Sequence, residues 1–275
     1  MSRIAFLGTG SMNEAIMGGM IAAGTDPSEV VATVRRAERA AELAERHHVV
    51  AIAGSEDPQA NLEAVRDAAV VILGVKPVGI AALAREISPS LDTHTIVVSV
   101  AAAVSLEQLE AALPKGQPVV RAMPNTPARL GHGVVSISGG TNATAEQLAQ
   151  VRALFETVGT VVEIPESQVD ALSAISGSGP AYAFYLAEAM AAAGAELGLD
   201  PELSALLARE TVAGAGYMLA EPGADAAALR RAVTSPNGTT ERAIAAFDKG
   251  GIPAIIAQGA KDAADRAAEI TASLD

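Results

Sequence analysis

The 275 residues contain no cysteine and only four histidines, His47, His48, His94 and His132, none at H-x-x-x-H spacing. Without thiols there is no disulfide framework, and so few imidazoles leave nothing from which to build a zinc or other transition-metal site. Basic residues are also short: 19 Lys and Arg stand against 32 Asp and Glu, for a net charge of −13. Such a surface repels nucleic-acid backbone and anionic lipid, so neither is expected as a partner. Half the residues are hydrophobic and the mean hydropathy is +0.30, yet no run of 18 apolar residues goes uninterrupted. The longest charge-free piece, 171–187, carries Ser176, Gly177, Ser178, Gly179 and Pro180, which suits buried structure and not a membrane-spanning helix. The start of the chain offers Arg3 and then only Ile4 to Leu7 before a glycine, which is no secretory signal, and a cytoplasmic location is expected.

What is present is an alternation. Short β-branched runs at 4–7, 30–34, 49–53, 70–75, 95–100, 119–122, 134–138 and 161–164 alternate with segments of helical spacing at 11–23, 37–46, 58–66, 80–87, 106–113 and 145–158. That is the pattern of repeated βαβ units on a parallel sheet covered on both faces. After Pro165 the strand-like runs stop and the chain turns alanine-rich, punctuated by Gly198-Leu199-Asp200-Pro201 and Glu221-Pro222-Gly223. Two domains are expected, an α/β domain over 1–164 and an all-α domain over 165–275. The Ala-faced helices of the second are the kind that cover their apolar faces with a partner subunit.

The first strand runs into Gly8-Thr9-Gly10-Ser11-Met12-Asn13, and a helix follows. In that position, backbone amides and a helix N-terminus receive a pyrophosphate, which assigns Gly8, Gly10, Ser11 and Met12 to a dinucleotide. At the end of the second strand the NAD-preferring versions of such a turn carry an acid that binds the ribose. Here the chain reads Ala32-Thr33-Val34-Arg35-Arg36, and a guanidinium fork plus a hydroxyl suits the extra 2′-phosphate of NADP, which assigns Arg35 and Arg36 to it. The cofactor reading is NADP(H) preferred over NAD(H); the competing one makes Arg35 and Arg36 a solvated helix start.

Three later loops lie where ligands collect. Val75-Lys76-Pro77 follows the fourth strand, so that Lys76 either faces the cofactor or merely precedes a proline that stops the strand. Arg121-Ala122-Met123-Pro124-Asn125-Thr126-Pro127 presents Asn125, whose amide both donates and accepts, for a nicotinamide carboxamide or an ordered water, or else as a structural turn. Thr234-Ser235-Pro236-Asn237-Gly238-Thr239-Thr240 precedes an expected helix over 241–249, either as a carboxylate pocket at a positive helix end or as an ordinary N-cap.

Together with Ser176-Gly177-Ser178-Gly179-Pro180-Ala181-Tyr182, these segments resemble pyrroline-5-carboxylate reductase in order and spacing over nearly the whole chain. The resemblance implies an N-terminal Rossmann-like dinucleotide-binding domain followed by an all-α dimerisation domain. The implied reaction reduces the cyclic imine 1-pyrroline-5-carboxylate to L-proline with NAD(P)H. The implied assembly is a homodimer, built up to a decamer of five dimers, with each active site drawing on two chains. By the same resemblance the substrate carboxylate falls to Ser235 and the amides of Gly238 and Thr239, and the Thr240 hydroxyl lies near the ring nitrogen as the catalytic group. Val75, Lys76, Pro77 and Asn125 border the nicotinamide end.

Two residues depart from the family pattern. Asn13 replaces a small residue, with looser helix–strand packing expected, and Asn237 replaces a glycine and must take up glycine's backbone geometry. A β-hydroxyacid dehydrogenase is disfavoured because no lysine occurs between Lys115 and Lys249 to handle an alcohol proton. A reductase of six-membered imines, and a non-catalytic NADP(H) sensor on the same fold, are the other readings.

Overall fold

A computed structural model describes residues 3–273. Eight strands form one sheet: β1 (Arg3–Leu7), β2 (Val30–Val34), β3 (Val50–Ala53), β4 (Ala68–Leu73), β5 (Ile96–Ser99), β6 (Val119–Pro124), β7 (Gly133–Gly139) and β8 (Gly159–Glu163). Their order is β3-β2-β1-β4-β5-β6-β7-β8. The first six run parallel in the arrangement of a dinucleotide-binding sheet, with the reversal of direction in strand order falling between β1 and β4.

Strand periodicity divides the core in two. Ile4, Phe6, Val30, Ala32, Val70 and Ile72 face one way and pack with α1 (Ser11–Ala22), α2 (Ala37–His47) and α6 (Ala145–Glu156). Ala5, Leu7, Val31, Val71 and Leu73 face the other, against α3 (Ala60–Val65), α4 (Pro77–Ile87) and α5 (Leu106–Ala112). Apolar residues at consecutive positions are what a sheet buried on both faces requires. Two of these helices start at full capping boxes: Ser105 with Gln108, and Thr144 with Gln147.

One expectation about the sheet is corrected. β7 pairs antiparallel with β6, and β8 pairs parallel with β7, so the last two strands oppose the first six. The reason is connection length. Only residues 125–132 separate β6 from β7, filled by the 3-10 turn Thr126–Leu130, too short for the crossover that a parallel pair needs.

Beyond β8 the chain runs through α7 (Val169–Leu172) and a π-turn at Ser173–Gly177, then α8 (Gly179–Glu196), α9 (Pro201–Ala220), α10 (Ala226–Ala232), α11 (Thr239–Lys249) and α12 (Ile252–Ala272). Two compact units result, one of residues 3–177 with 263–273, the other of residues 178–262. In the second unit α8 and α9 pair closely: Ser204 donates to the Ala191 carbonyl at 2.8 Å, and a Cβ on Gly194 would overlap the Ser204 hydroxyl. Asp200 caps α9, accepting from the Glu202 and Leu203 amides at 3.0 and 3.2 Å, with Pro201 in its first turn. No helix among the described residues is long and apolar enough to cross a membrane.

Candidate active site

The turn after β1 is shaped by glycine where the backbone demands it. Gly8 has φ +70°, and a Cβ there would strike Val75 at the end of the neighbouring strand's turn. The Gly8 amide donates to Thr33 Oγ1 at 3.3 Å, the Thr9 amide to the Thr33 carbonyl at 2.8 Å, and the Gly10 amide back to the Gly8 carbonyl at 2.8 Å. The glycines therefore build the turn with amides directed inward. The open donors are those of Ser11, Met12 and Asn13, the first three residues of α1, which helix geometry leaves without intrahelical partners. With the positive end of the helix behind them, these donors beside the β1/β4 switch point have the geometry that can receive an anion.

Asn13 does not loosen the packing, contrary to expectation. It is fully buried and donates Nδ2 to the Leu7 carbonyl at 3.3 Å and, at the limit, to that of Ile72 at 3.5 Å, joining the ends of β1 and β4. Its volume is accommodated because residue 74 is glycine: a Cβ there would overlap the Asn13 amide. Asn13 Oδ1 has no partner.

Arg35 and Arg36 follow β2 directly, and both are exposed. Arg36 is the residue preceding α2. Neither side chain has a hydrogen-bond or ion-pair partner among the described residues. Two cations at a helix N-terminus oppose the helix dipole, an arrangement that an incoming phosphate relieves. Nearby Arg39 and Arg46, with His47, pair instead with Glu14 of α1. Burial raises the Glu14 pKa, but the hydrogen bonds from Arg39, His47 and Arg46 outweigh it and hold the carboxyl below its ordinary value.

A connection the sequence did not expose runs behind the turn. Thr33 Oγ1 donates to Asn61 Oδ1 at 2.7 Å, and Asn61 Nδ2 donates to Glu86 at 3.0 Å, linking β2, α3 and α4. Asn61 lies in a six-residue helix with no motif around it, so nothing local marks it.

Strand β4 ends at Leu73, two residues earlier than its apolar run implies. Pro77 does not stop the strand; it opens α4 as first residue, with Lys76 exposed at the cap position. At the end of β6, Asn125 is 7% exposed. Its Oδ1 accepts from the Val134 amide at 2.9 Å and its Nδ2 donates to the Ser176 carbonyl at 2.8 Å. One N–H and one lone pair are left over.

In the helical unit, α11 begins at Thr239, two residues before the expected start, so Thr239 and Thr240 stand in its first turn. The Gly238 amide is engaged with the Ser235 carbonyl at 3.0 Å, which leaves the Thr239 and Thr240 amides as the open donors. Asn237 takes up glycine's geometry, with φ 58°, and its amide donates to Glu241 at 2.9 Å. No cluster of three or more His, Cys, Asp or Glu that could hold a metal occurs among the described residues.

Comparison with known proteins places this geometry. A family model described as pyrroline-5-carboxylate reductase dimerisation matches residues 166–270, and one described as NADP oxidoreductase, coenzyme F420-dependent, matches residues 3–103. The pyrroline-5-carboxylate reductase of Pseudomonas aeruginosa is 40% identical over 273 residues, covering 99% of this chain and 98% of that one. The structure of the Coxiella burnetii pyrroline-5-carboxylate reductase superposes with a TM-score of 0.91 at 34% identity, covering 98% of each chain. The Plasmodium falciparum pyrroline carboxylate reductase, solved with NADP bound, shares the fold with a TM-score of 0.83 at 23% identity and 98% coverage of each chain.

Proposed function

The chain belongs to the pyrroline-5-carboxylate reductase family, and from that premise we propose how its residues divide the work of the reaction. It is an oxidoreductase that reduces the C=N bond of 1-pyrroline-5-carboxylate to give L-proline, the last step of proline biosynthesis. When bound, the reduced nicotinamide dinucleotide supplies the hydride that goes to the imine carbon.

The observation that carries the cofactor assignment is the pair of exposed, unpaired guanidinium groups after β2, together with a turn that leaves the Ser11 and Met12 amides open. In this reading Gly8 and Gly10 shape the turn that brings the open Ser11 and Met12 amides to the pyrophosphate, and Arg35 and Arg36 hold the 2′-phosphate, so NADP(H) is preferred over NAD(H). Val75, Lys76, Pro77 and Asn125 border the nicotinamide end. Ser235 and the first-turn amides of α11 bind the substrate carboxylate, while Gly238 keeps the turn tight. The Thr240 hydroxyl orients the ring nitrogen or passes a proton to it. A protonated imine is already electrophilic, so this role asks for no strongly shifted pKa, in keeping with a site without histidine.

The match to a dimerisation model supports a homo-oligomer, and a pentamer of dimers is the proposed assembly. The functional division is proposed at 1–164 and 165–275, and the location as cytoplasmic. The test follows absorbance at 340 nm with NADPH and, separately, NADH while 1-pyrroline-5-carboxylate is added, with the six-membered imine as control. Oxidation with the five-membered ring and a strong NADPH preference is expected. Replacing Arg35 and Arg36 together by Ala should raise KM for NADPH far more than for NADH; equal effects would show that neither reads the 2′-phosphate.

A further inference from the structure

Arg121 is the only charged residue buried among the described residues. It sits mid-strand in β6, in register with Ser99 of β5 and Ser138 of β7, a polar row across an otherwise apolar sheet. Each member of the row ties down chain beyond the strand ends. Ser99 Oγ accepts from the Ala101 amide at 3.3 Å, and Ser138 donates to the Ile164 carbonyl at 2.8 Å. Arg121 Nη1 donates to Glu166 Oε1 at 2.9 Å. That same carboxylate oxygen accepts from the amide of Leu106, the first residue of α5, at 2.7 Å. Arg121 Nε is buried with no partner.

The pair is only half-buried, Arg121 being shut in while Glu166 keeps 29% of its side chain exposed. Such a pair is a poor way to gain stability, because screening weakens its attraction and well-packed apolar side chains of similar volume do as well or better. An orphaned Nε adds to the cost. What the pair does accomplish is placement. Four residues beyond Arg121, Asn125 donates to the Ser176 carbonyl, and a Cβ on Gly177 would lie 3.5 Å from Met123 Cε. One strand thus holds the 166–177 segment at two points, and Glu166 extends the hold to the loop that follows β5 on the ligand-binding side of the sheet.

We propose that Arg121 and Glu166 are positioning residues for imine reduction: their ion pair fixes the Ser173–Gly177 turn and the start of α5 against the end of β6, where Asn125 stands. This rests on the reading of Asn125 as a residue bordering the reacting end of the cofactor. Wild-type turnover of 1-pyrroline-5-carboxylate and its loss in Thr240→Ala test the site reading without involving Arg121.

The experiment compares wild type with the neutral pair Arg121→Met/Glu166→Gln and with Arg121→Lys, which keeps the charge but loses the planar fork. Thermal midpoint, NADPH Kd by fluorescence, steady-state kcat and KM, and the single-turnover rate of NADPH oxidation are measured on each. The neutral pair is expected to melt no lower than wild type and to bind NADPH within about twofold. Its kcat and single-turnover rate per folded molecule should fall about tenfold or more, because a small misplacement of reacting groups is that costly. Arg121→Lys is expected to lie between the two. Wild-type rates in a folded neutral pair, or in a folded Arg121→Lys, overturn the proposal. So does failure of both variants to fold, which would make the pair a folding requirement alone.

Discussion

Thr240 carries the sharpest consequence of any single side chain here. It stands in the first turn of α11, where its amide has no intrahelical partner, and the proposed mechanism gives its hydroxyl the proton-handling role. Thr240→Ala is expected to lower kcat about a hundredfold, the usual weight of one proton-handling group, while NADPH Kd stays put. An unchanged rate would remove Thr240 from the mechanism. Asn13 and Gly74 make a second residue-scale case, since each is explained only by the other. Gly74→Ala forces a Cβ into the Asn13 amide and is expected to destabilise by about 2 kcal/mol, in the range of overpacked cores. Asn13→Ala in the same protein should restore most of that loss, as coupled neighbours do. Urea denaturation of the four proteins of the cycle decides it; a double variant as unstable as Gly74→Ala alone would sink the idea.

Between elements, the joint of α1 with α2 is electrostatic as well as apolar. Glu14 accepts from Arg46 at 2.7 Å, from Arg39, and lies 3.2 Å from His47 Nε2. Its carboxyl is held below the ordinary 4.5, so the folded state keeps Glu14 ionised to lower pH than the unfolded chain does. The stability it contributes is fully present above that ordinary value and is lost as pH falls through the lower folded value. The gap in unfolding free energy between wild type and Glu14→Gln should therefore stay level from pH 7 to about 5 and close below that. A gap that ignores pH would show that Glu14 acts through packing. Elements were also where the sequence spoke most clearly. All eight apolar runs became strands, and the six helices between them fall within a few residues of their expected spans. Misplaced ends have local causes: Pro77 starts α4 earlier than the periodicity suggests, and Gly238 caps α11 two residues sooner.

For the whole molecule, the helical unit is the incomplete part. α8 buries no residue and α9 only Ser204 and Ala208, while Phe184 and Tyr185 are 68% and 72% exposed and Tyr217 is 69% exposed. So much aromatic surface on helices matched by a dimerisation family is where a second copy is expected to dock. Tyr185→Glu is expected to shift the protein toward monomer in sedimentation velocity and to lose activity in step with the oligomer. A variant that stays assembled would place the interface elsewhere on the unit.

The amino-acid sequence by itself determined the elements, their two-faced burial, the glycine turn after β1 and the family, because those signals lie within a few residues of one another and report directly on backbone preference. Only the tertiary structure decided the rest. That Asn13 Nδ2 reaches Ile72, 59 residues on, that Arg121 pairs with Glu166, 45 residues on, and that Gly8 donates to Thr33 all depend on which strands lie side by side. The reversal of β7 and the inward use of the Gly8, Gly10 and Gly238 amides belong with them. Hydrogen bonds between distant segments are set by the packing of the assembled sheet and carry no mark in either segment alone.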